Sequence, residues 1–479
     1  MGNRSARLAL LIILCGFLYL LTSSTPWFRS SPPKPVHNLK YGDSENATKP
    51  KDNWCRPEEC AAGRWEPRQP PFTDLKDFQA AYANRLDRLW KGCSAIPDRK
   101  TGKRPPGPKV DEERLMQVMN WTWTPYTGEL IKWDAEDFMV RLLKSPGGLI
   151  LIGDSITQQH NHALGYLLNQ ANLDFDRNPP HLSMHDHKNV RQMLLKPHDP
   201  LTRKVMAIAG VPESRLQRPV VTMLEEHMLI GQRDIRKITE RLGASKDYYW
   251  YHDFQRVPGW EEYVANAAKP REGEEDSVTE DTILLMNAGA HWSRHELAML
   301  PPRSTDKEEQ ARVKETYKQM MKLVIGRIAP INRLSVFYRS TSPGHPACEK
   351  SADPYKNSIV AREAEQHITP RLKAEVEGEV KQQRARWDWD LFEVHNHMWR
   401  RAVGGLMRER AWRQSRAQKE KELGAKWFYL DLWDVNLQRP DAHSEPGVDC
   451  LHWCLPSVLN EWTLHLYHNL FIQSRAKEE

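Results

Sequence analysis

Five short apolar segments constrain the fold of this chain more than any other feature. They lie at residues 148–152, 220–224, 282–286, 334–338 and 426–432. Segments with helical periodicity or polar loops separate them. Because strands that are apolar throughout are covered on both faces, and because helical segments alternate with them, we predict an α/β fold with a mainly parallel sheet.

Two longer stretches, 307–325 and 363–421, have the composition of long exposed helices. The second is rich in Arg, Lys, Glu and Gln, so we predict a solvated helical insertion there rather than a binding arm. Charged residues make up 28% of the 479 positions, and the net charge of +6 is small and mixed along the sequence. This distribution gives no indication of nucleic-acid binding.

The N-terminus carries a membrane signal. Arg4 and Arg7 precede the apolar run LALLIILCGFLYLL at residues 8–21. We predict a cytoplasmic tail at 1–7, an uncleaved type II signal-anchor at 8–22, a proline-rich stem at 23–53 and a lumenal domain at 54–479. The location expected for such a protein is the Golgi membrane. The alternative is a cleaved signal peptide and a secreted protein.

Acceptor triplets and cysteines agree with a secretory compartment. Asn46 and Asn120 each begin an Asn-x-Thr glycosylation triplet. Outside the apolar run there are six cysteines, which allow three disulfides in fifteen possible pairings. The group His181, His185 and His187 has no flanking strand or cysteine, so we predict no metal site.

Ser155 is the first residue that indicates chemistry. The apolar run at 149–152 leads into Gly153-Asp154-Ser155, and a helix-compatible segment follows. A serine at this kind of turn lies at the carboxyl edge of the sheet, next to helix N–H groups that favour a developing oxyanion. The tripeptide alone is weak, because a second copy occurs at residues 42–44 in the stem.

Asp449 and His452 strengthen that interpretation. They are three residues apart, so on a helical turn they share one face, and Asp449 would hold the imidazole in the required tautomer. A serine hydroxyl needs such an oriented base to become a nucleophile. We therefore predict a catalytic triad of Ser155, Asp449 and His452.

These blocks resemble those of the GDSL/SGNH hydrolases, and the C-terminal block is more specific. The segments RPDAHS (439–444) and DCLHWCLP (449–456) resemble the PC-esterase group, which includes the plant trichome birefringence-like polysaccharide O-acetyltransferases. NAGAHW (287–292) and FYRSTSPGH (337–345) resemble two further blocks of that group. The group often has Arg and Asn where this chain has Gln158 and Gln159. The resemblance implies an SGNH-hydrolase-like sandwich with helical insertions.

The same resemblance implies roles for further residues. Asn287 would bind the oxyanion together with the backbone N–H of Ser155, and Gly210 is a possible second glycine donor. Arg339 would orient the substrate or close an ion pair. Asp441 and His443 would brace the site. Residues that the resemblance places near the substrate are Gly153, Asp154, Trp292, Arg339 and Trp453.

The function implied is transfer of acetyl groups to hydroxyls of a cell-surface or cell-wall polysaccharide through an acetyl-Ser155 intermediate. No bound cofactor is expected. The acetyl donor would be acetyl-CoA or a carrier supplied by a multispanning membrane partner. Two alternatives stay open at this point: a glycan acetyl esterase that uses water as the acceptor, and a non-catalytic glycan-binding protein.

Overall fold

A seven-stranded sheet forms the centre of the computed structural model. The structure describes residues 53–82, 93–96, 111–250, 254–365, 387–416, 419–420 and 423–478. The predicted anchor and stem, at 8–22 and 23–53, lie almost entirely outside these residues. Within the described ranges, no helix is both long and apolar enough to cross a membrane. The strands in chain order are β1 (Gly63–Pro67), β2 (Trp121–Pro125), β3 (Leu149–Gly153), β4 (Phe175–Arg177), β5 (Val190–Leu195), β6 (Val221–Glu225), β7 (Thr282–Met286), β8 (Leu334–Arg339), β9 (Lys426–Leu430), β10 (His443–Glu445) and β11 (Asp449–Trp453).

The α/β prediction with a mainly parallel sheet is confirmed. The sheet has the order β4-β5-β6-β3-β7-β8-β9, and all five predicted strands are neighbours in it and run parallel. The apolar pattern did not predict β4 and β5, which extend one edge antiparallel. Two small antiparallel pairs, β1–β2 and β10–β11, lie outside this sheet.

Every residue of β3, β7 and β8 is buried because both faces of the sheet are covered. In β3, Leu149 and Leu151 enter one hydrophobic core, whereas Ile150 and Ile152 enter the other. This alternation follows from the two-residue period of a strand. The helices that cover the sheet or flank it are α1 (Leu75–Ala80), α2 (Glu112–Met119), α3 (Ala135–Leu143), α4 (Ser155–Asn169), α5 (Pro200–Ala209), α6 (Gln232–Arg241), α7 (Trp260–Ala267), α8 (Asp306–Ile328), α9 (Phe392–Ser415), α10 (Trp433–Leu437) and α11 (Ser457–Glu478).

Both predicted stretches contain a helix where the structure describes them, but the expectation that these helices are exposed was wrong. Helix α8 has buried residues at helical spacing: Val313, Tyr317, Met320, Val324 and Ile328. Helix α9, within the predicted solvated insertion, packs against β9 and buries Phe392, His395, Trp399, Ala402 and Val403. Both helices have a narrow apolar stripe that packs on the sheet, and the many charged residues around it make this stripe hard to recognise in the sequence. Residues 366–386 of the predicted insertion lie outside the described ranges.

The strand order changes direction at β3. The chain leaves β3 and returns as β6 on one side, and it then crosses to β7 on the other side. In open parallel sheets, a ligand crevice forms at the carboxyl edge where the order reverses. The segment that follows β3, which begins with Asp154 and Ser155, therefore lies at the expected position of a site.

Three disulfides resolve the pairing that the sequence left open. They join Cys55 to Cys60, Cys93 to Cys454 and Cys348 to Cys450. Two of them end in or directly after β11. The β10–β11 hairpin is thus tied covalently to two distant parts of the chain.

Candidate active site

Ser155 is the first residue of helix α4, and only Asp154 separates it from the end of β3. Asp154 caps the helix, because its Oδ1 accepts a hydrogen bond from the backbone N–H of Ile156 at 3.1 Å. The first N–H groups of a helix have no partner within it, so the N–H of Ser155 points out of the helix start. A side chain at Gly153 would place its Cβ 2.8 Å from the backbone oxygen of Asn287, so the approach of β7 here requires glycine.

The three residues of the predicted triad form a continuous hydrogen-bonded line. The distance from Ser155 Oγ to His452 Nε2 is 2.8 Å, and His452 Nδ1 lies 2.8 Å from Asp449 Oδ2. The side chains of Asp449 and His452 are 27% and 31% exposed, so the line opens to solvent. This geometry allows His452 to take the hydroxyl proton while Asp449 holds the ring.

The electrostatics suit a base at position 452. Burial opposes protonation of His452, but the hydrogen bond and charge of Asp449, together with the charge of Asp154, raise its pKa above the usual 6.5. For Asp449, burial raises the pKa, whereas the hydrogen bond and charge of His452 and two backbone N–H groups lower it and prevail. Asp449 is thus ionised whenever His452 is required as a base.

The predicted helical turn at 449–452 was wrong. Asp449 begins strand β11, and its Oδ1 accepts the backbone N–H groups of Leu451 at 3.1 Å and His452 at 3.0 Å. One carboxylate oxygen of Asp449 therefore binds the backbone of the strand, and the other binds the imidazole. The predicted contact between Asp449 and His452 is correct, but it arises from side-chain hydrogen bonds to the backbone of a strand and not from a helical turn.

Gln159, which the sequence did not mark as part of the site, joins α4 to the hairpin. Its Nε2 donates to the carbonyl of Trp453 at 3.0 Å, and its Oε1 accepts the N–H of Trp453 at 3.0 Å. Gln159 lies one helical turn after Ser155, and Trp453 follows His452. Two sequence signals pointed to this position: the helical spacing from Ser155, which also fits many surface residues, and the Asn that the resembling group often has there.

His443 contacts the site through the backbone of His452. Its Nδ1 lies 3.0 Å from the carbonyl oxygen of His452, and its Nε2 lies 2.7 Å from His345 Nδ1. The fully buried Trp453 stacks on the His443 ring with centroids 4.2 Å apart. Asp441 pairs with the buried Arg439 at 2.8 Å instead of contacting the triad. His443 thus fixes the backbone on which the base is carried.

Asn287 follows β7 directly, but its side-chain amide nitrogen already donates hydrogen bonds within the protein. Nδ2 donates to the carbonyl of Arg339 at 3.0 Å and to Thr341 Oγ1 at 3.1 Å, which accounts for both of its hydrogens. Its Oδ1 is buried and has no partner within the described part of the chain. In this arrangement the amide supports β8, and oxyanion binding by Asn287 stays a prediction.

Arg339 is fully buried at the end of β8. Its guanidinium lies 4.0 Å from the ring centroid of Trp462, and Nη2 donates to Thr157 Oγ1 at 3.3 Å. Burial lowers its pKa to about 10, although the charge of Asp154 opposes this. The Arg339 guanidinium makes no ion pair with a described carboxylate, and it is not exposed to solvent. The structure therefore shows neither of the two predicted roles.

The remaining predicted substrate residues are also buried. Trp292 lies in a hydrophobic core against Tyr317, and Asp154 is fully buried as the cap of α4. Gly210 is the left-handed C-cap of helix α5, and its role as a second oxyanion donor stays a prediction.

Of the two predicted glycosylation positions, the structure describes Asn120. Asn46 lies outside the described residues. Asn120 pairs its amide with both backbone groups of Phe72, at 2.7 and 2.9 Å.

No group of three described metal-ligand side chains surrounds His181, His185 and His187. Two such groups occur elsewhere among the described residues, and each contains two disulfide-bonded cysteines.

Comparison with known proteins gives one local likeness. No protein-family model matches the chain. A stretch of 49 residues is 41% identical to Protein trichome birefringence-like 39 of Arabidopsis thaliana. This stretch covers 9% of the chain and 13% of that protein, so the chain matches only a small part of its relative. The likeness agrees with the motif resemblance to the trichome birefringence-like group.

Proposed function

We propose that this chain is a serine-dependent O-acetyltransferase that moves acetyl groups onto saccharide hydroxyls through an acetyl-Ser155 intermediate. The observation that carries the proposal is the unbroken line from Ser155 through His452 to Asp449, with both hydrogen bonds at 2.8 Å. The resemblance to polysaccharide O-acetyltransferases supports the acetyl group and the acceptor class.

The first step would be acetylation of Ser155. His452 Nε2 takes the hydroxyl proton as Oγ attacks the acetyl carbonyl carbon. The N–H groups at the start of α4 favour the negative charge on the tetrahedral oxygen. His452 then returns the proton to the leaving group, and the bond between the acetyl carbon and the donor breaks. The donor would be acetyl-CoA or a carrier delivered by a membrane partner.

The second step would use the same groups in reverse. A saccharide hydroxyl loses its proton to His452 and attacks the acetyl carbon, and Ser155 Oγ leaves with that proton. Water in place of the saccharide gives an esterase, which the triad serves equally well. Location in the Golgi membrane, with the catalytic domain in the lumen, is the cellular setting that we propose for this chemistry.

Mass spectrometry of the intact chain tests the proposal. With 4-nitrophenyl acetate as donor, we expect one acetyl group on Ser155 and its loss to an added oligosaccharide. Ser155→Ala should abolish both, whereas Ser44→Ala, in the second Gly-Asp-Ser copy, should change neither. Acetate release without any acetylated saccharide would identify an esterase. Absence of acetyl-Ser155 would favour the non-catalytic glycan-binding alternative.

A further inference from the structure

Two histidines outside the triad stack across the end of β3. The rings of His227 and His291 have centroids 3.6 Å apart and planes inclined by 22°. His227 follows β6 and His291 follows β7, and β3 lies between these two strands. Neighbouring strands are about 4.8 Å apart, so the two rings must lean toward each other over the carboxyl end of β3. That end is where Ser155 begins.

Contacts between β3 and β6 join this pair to the triad. Glu225 is opposite Gly153 in the strand register, and the N–H of Glu226 donates to the carbonyl of Gly153 at 2.8 Å. Gln158, in the first turn of α4, donates to Glu225 Oε2 at 3.3 Å. The charge of Asp154 favours protonation of both His227, whose pKa is lowered overall by burial, and His452, whose pKa is raised by Asp449. The stacked pair and Ser155 therefore lie at the same end of β3.

One nitrogen of each ring lies beside a carboxylate oxygen. His227 Nε2 lies 3.3 Å from Glu225 Oε1, and His291 Nδ1 lies 3.7 Å from Glu296 Oε1. Nδ1 of His227 and Nε2 of His291 make no hydrogen bond to the described residues. The side chains are 14% and 12% exposed, so both rings reach solvent.

The protonation of His227 determines what it binds. Burial lowers its pKa, and the hydrogen bond to Glu225 opposes this without reversing it. The further groups that act on its charge are His291 and Arg256, which disfavour protonation, and Asp154, which favours it. A neutral ring that donates from Nε2 to Glu225 has a lone pair at Nδ1, which accepts a hydrogen bond from a hydroxyl group.

The surroundings favour a neutral, hydroxyl-rich ligand. The nearby cation Arg256 already pairs with Glu225, and the carboxylates of Glu225 and Glu296 would repel an anionic group. The partly exposed Trp387 presents its ring at 78° to that of His291, with centroids 4.8 Å apart. An aromatic surface beside a few hydrogen-bonding groups matches a sugar ring, which has C–H faces and hydroxyl edges.

We propose that His227 and His291, with Trp387 beside them, form the acceptor subsite, which binds saccharide hydroxyls and directs one of them toward His452. This inference rests on the proposed transferase function. In the transfer step, the bound hydroxyl gives its proton to His452 Nε2 and its oxygen bonds to the acetyl carbon. The bond from that carbon to Ser155 Oγ breaks, and Oγ takes the proton from His452.

The experiment separates acceptor binding from acetylation of Ser155. The full chain and the variants His227→Gln and His291→Gln are acetylated with 4-nitrophenyl acetate, and transfer to cellotetraose, mannotetraose and xylotetraose is then measured. We expect the rate of acetyl-Ser155 formation to stay within about twofold of that of the unaltered chain. The KM for the tetrasaccharide should rise at least about tenfold, in line with loss of one or two hydrogen bonds. His295→Gln, an exposed histidine four residues after His291, is the matched control and should change neither value.

Two results would overturn the proposal. One is an unchanged KM in both variants, and the other is a parallel fall in acetyl-Ser155 formation. Direct binding of the same tetrasaccharides to Ser155→Ala, with and without His291→Gln, needs no chemistry. We expect His291→Gln to weaken this binding about tenfold, and equal affinities would count against the subsite. Absence of acetyl-Ser155 in the unaltered chain would contradict the transferase function, while the binding measurement would still test the subsite.

Discussion

Gln159 and Trp453 form a two-way hydrogen bond in which the side-chain amide of one pairs with the backbone of the other. Both distances are 3.0 Å, and the two residues are 294 positions apart in the sequence. Since Gln159 is on the helix that begins with Ser155 and Trp453 follows His452, this pair sets the distance between nucleophile and base.

Gln159→Ala should lower kcat for acetylation by about tenfold to a hundredfold with little effect on folding, because a small displacement of the base is costly. Activity assays with 4-nitrophenyl acetate and circular dichroism melting would measure the two effects. Gln170→Ala, which removes a hydrogen bond at the far end of the same helix, is the control and should leave kcat unchanged. Equal kcat for both variants would contradict the positioning role of Gln159.

The acetylation rate should depend on pH through His452. The imidazole accepts the Ser155 proton only when neutral, and its pKa is raised above 6.5. The rate should therefore fall as pH decreases through a value above 6.5. Asp449→Asn removes the group that raises this pKa, so the fall should move to lower pH, and kcat should drop by about a thousandfold or more. A pH–rate profile that does not move in Asp449→Asn would show that another group titrates.

Loss of the Cys348–Cys450 bond should destabilise the chain more than loss of the Cys55–Cys60 bond. The two bonds close loops with sequence separations of 102 and 5. Loop-closure entropy gives about 4–5 kcal/mol for the first and about 2 kcal/mol for the second. Paired Cys→Ser variants in denaturant titrations would measure both. The first variant should also lose activity, because Cys450 is next to Asp449, and retained activity would contradict that link.

Glu461 should make stability decrease as pH rises. Burial raises its pKa from 4.5 to about 7, against the opposing effects of a backbone hydrogen bond and the charges of Arg439 and Arg68. Below pH 4.5 the carboxyl is protonated in both folded and unfolded chains, so it has no effect. Between about 4.5 and 7 only the unfolded chain loses the proton, which costs up to about 3 kcal/mol of stability. Glu461→Gln should therefore gain stability relative to the unaltered chain over that interval, as unfolding titrations at pH 4 and pH 8 would measure.

The sequence predicted the sheet well because fully buried strands leave a continuous apolar run. It did not predict β5, in which the exposed Arg191 and the buried Gln192 interrupt the apolar run. It also missed the apolar stripe of α8, a helix in which ten of 23 residues are charged. The triad residues were identifiable from residue type and motif. The Gln159–Trp453 hydrogen bonds and the stacking of His227 on His291 depend on contacts between segments that are distant in sequence, and no local sequence pattern predicts such contacts.

The separation of Ser155 from His452 by 297 residues also governs when the site can exist. During synthesis from the N-terminus, the nucleophile emerges long before its base, and the serine is an ordinary alcohol until β11 reaches α4. Two of the three disulfides anchor that last piece, at Cys450 and Cys454. We therefore expect oxidation of these cysteines to be required for full activity, and a chain kept reduced should contain every motif but acetylate Ser155 poorly.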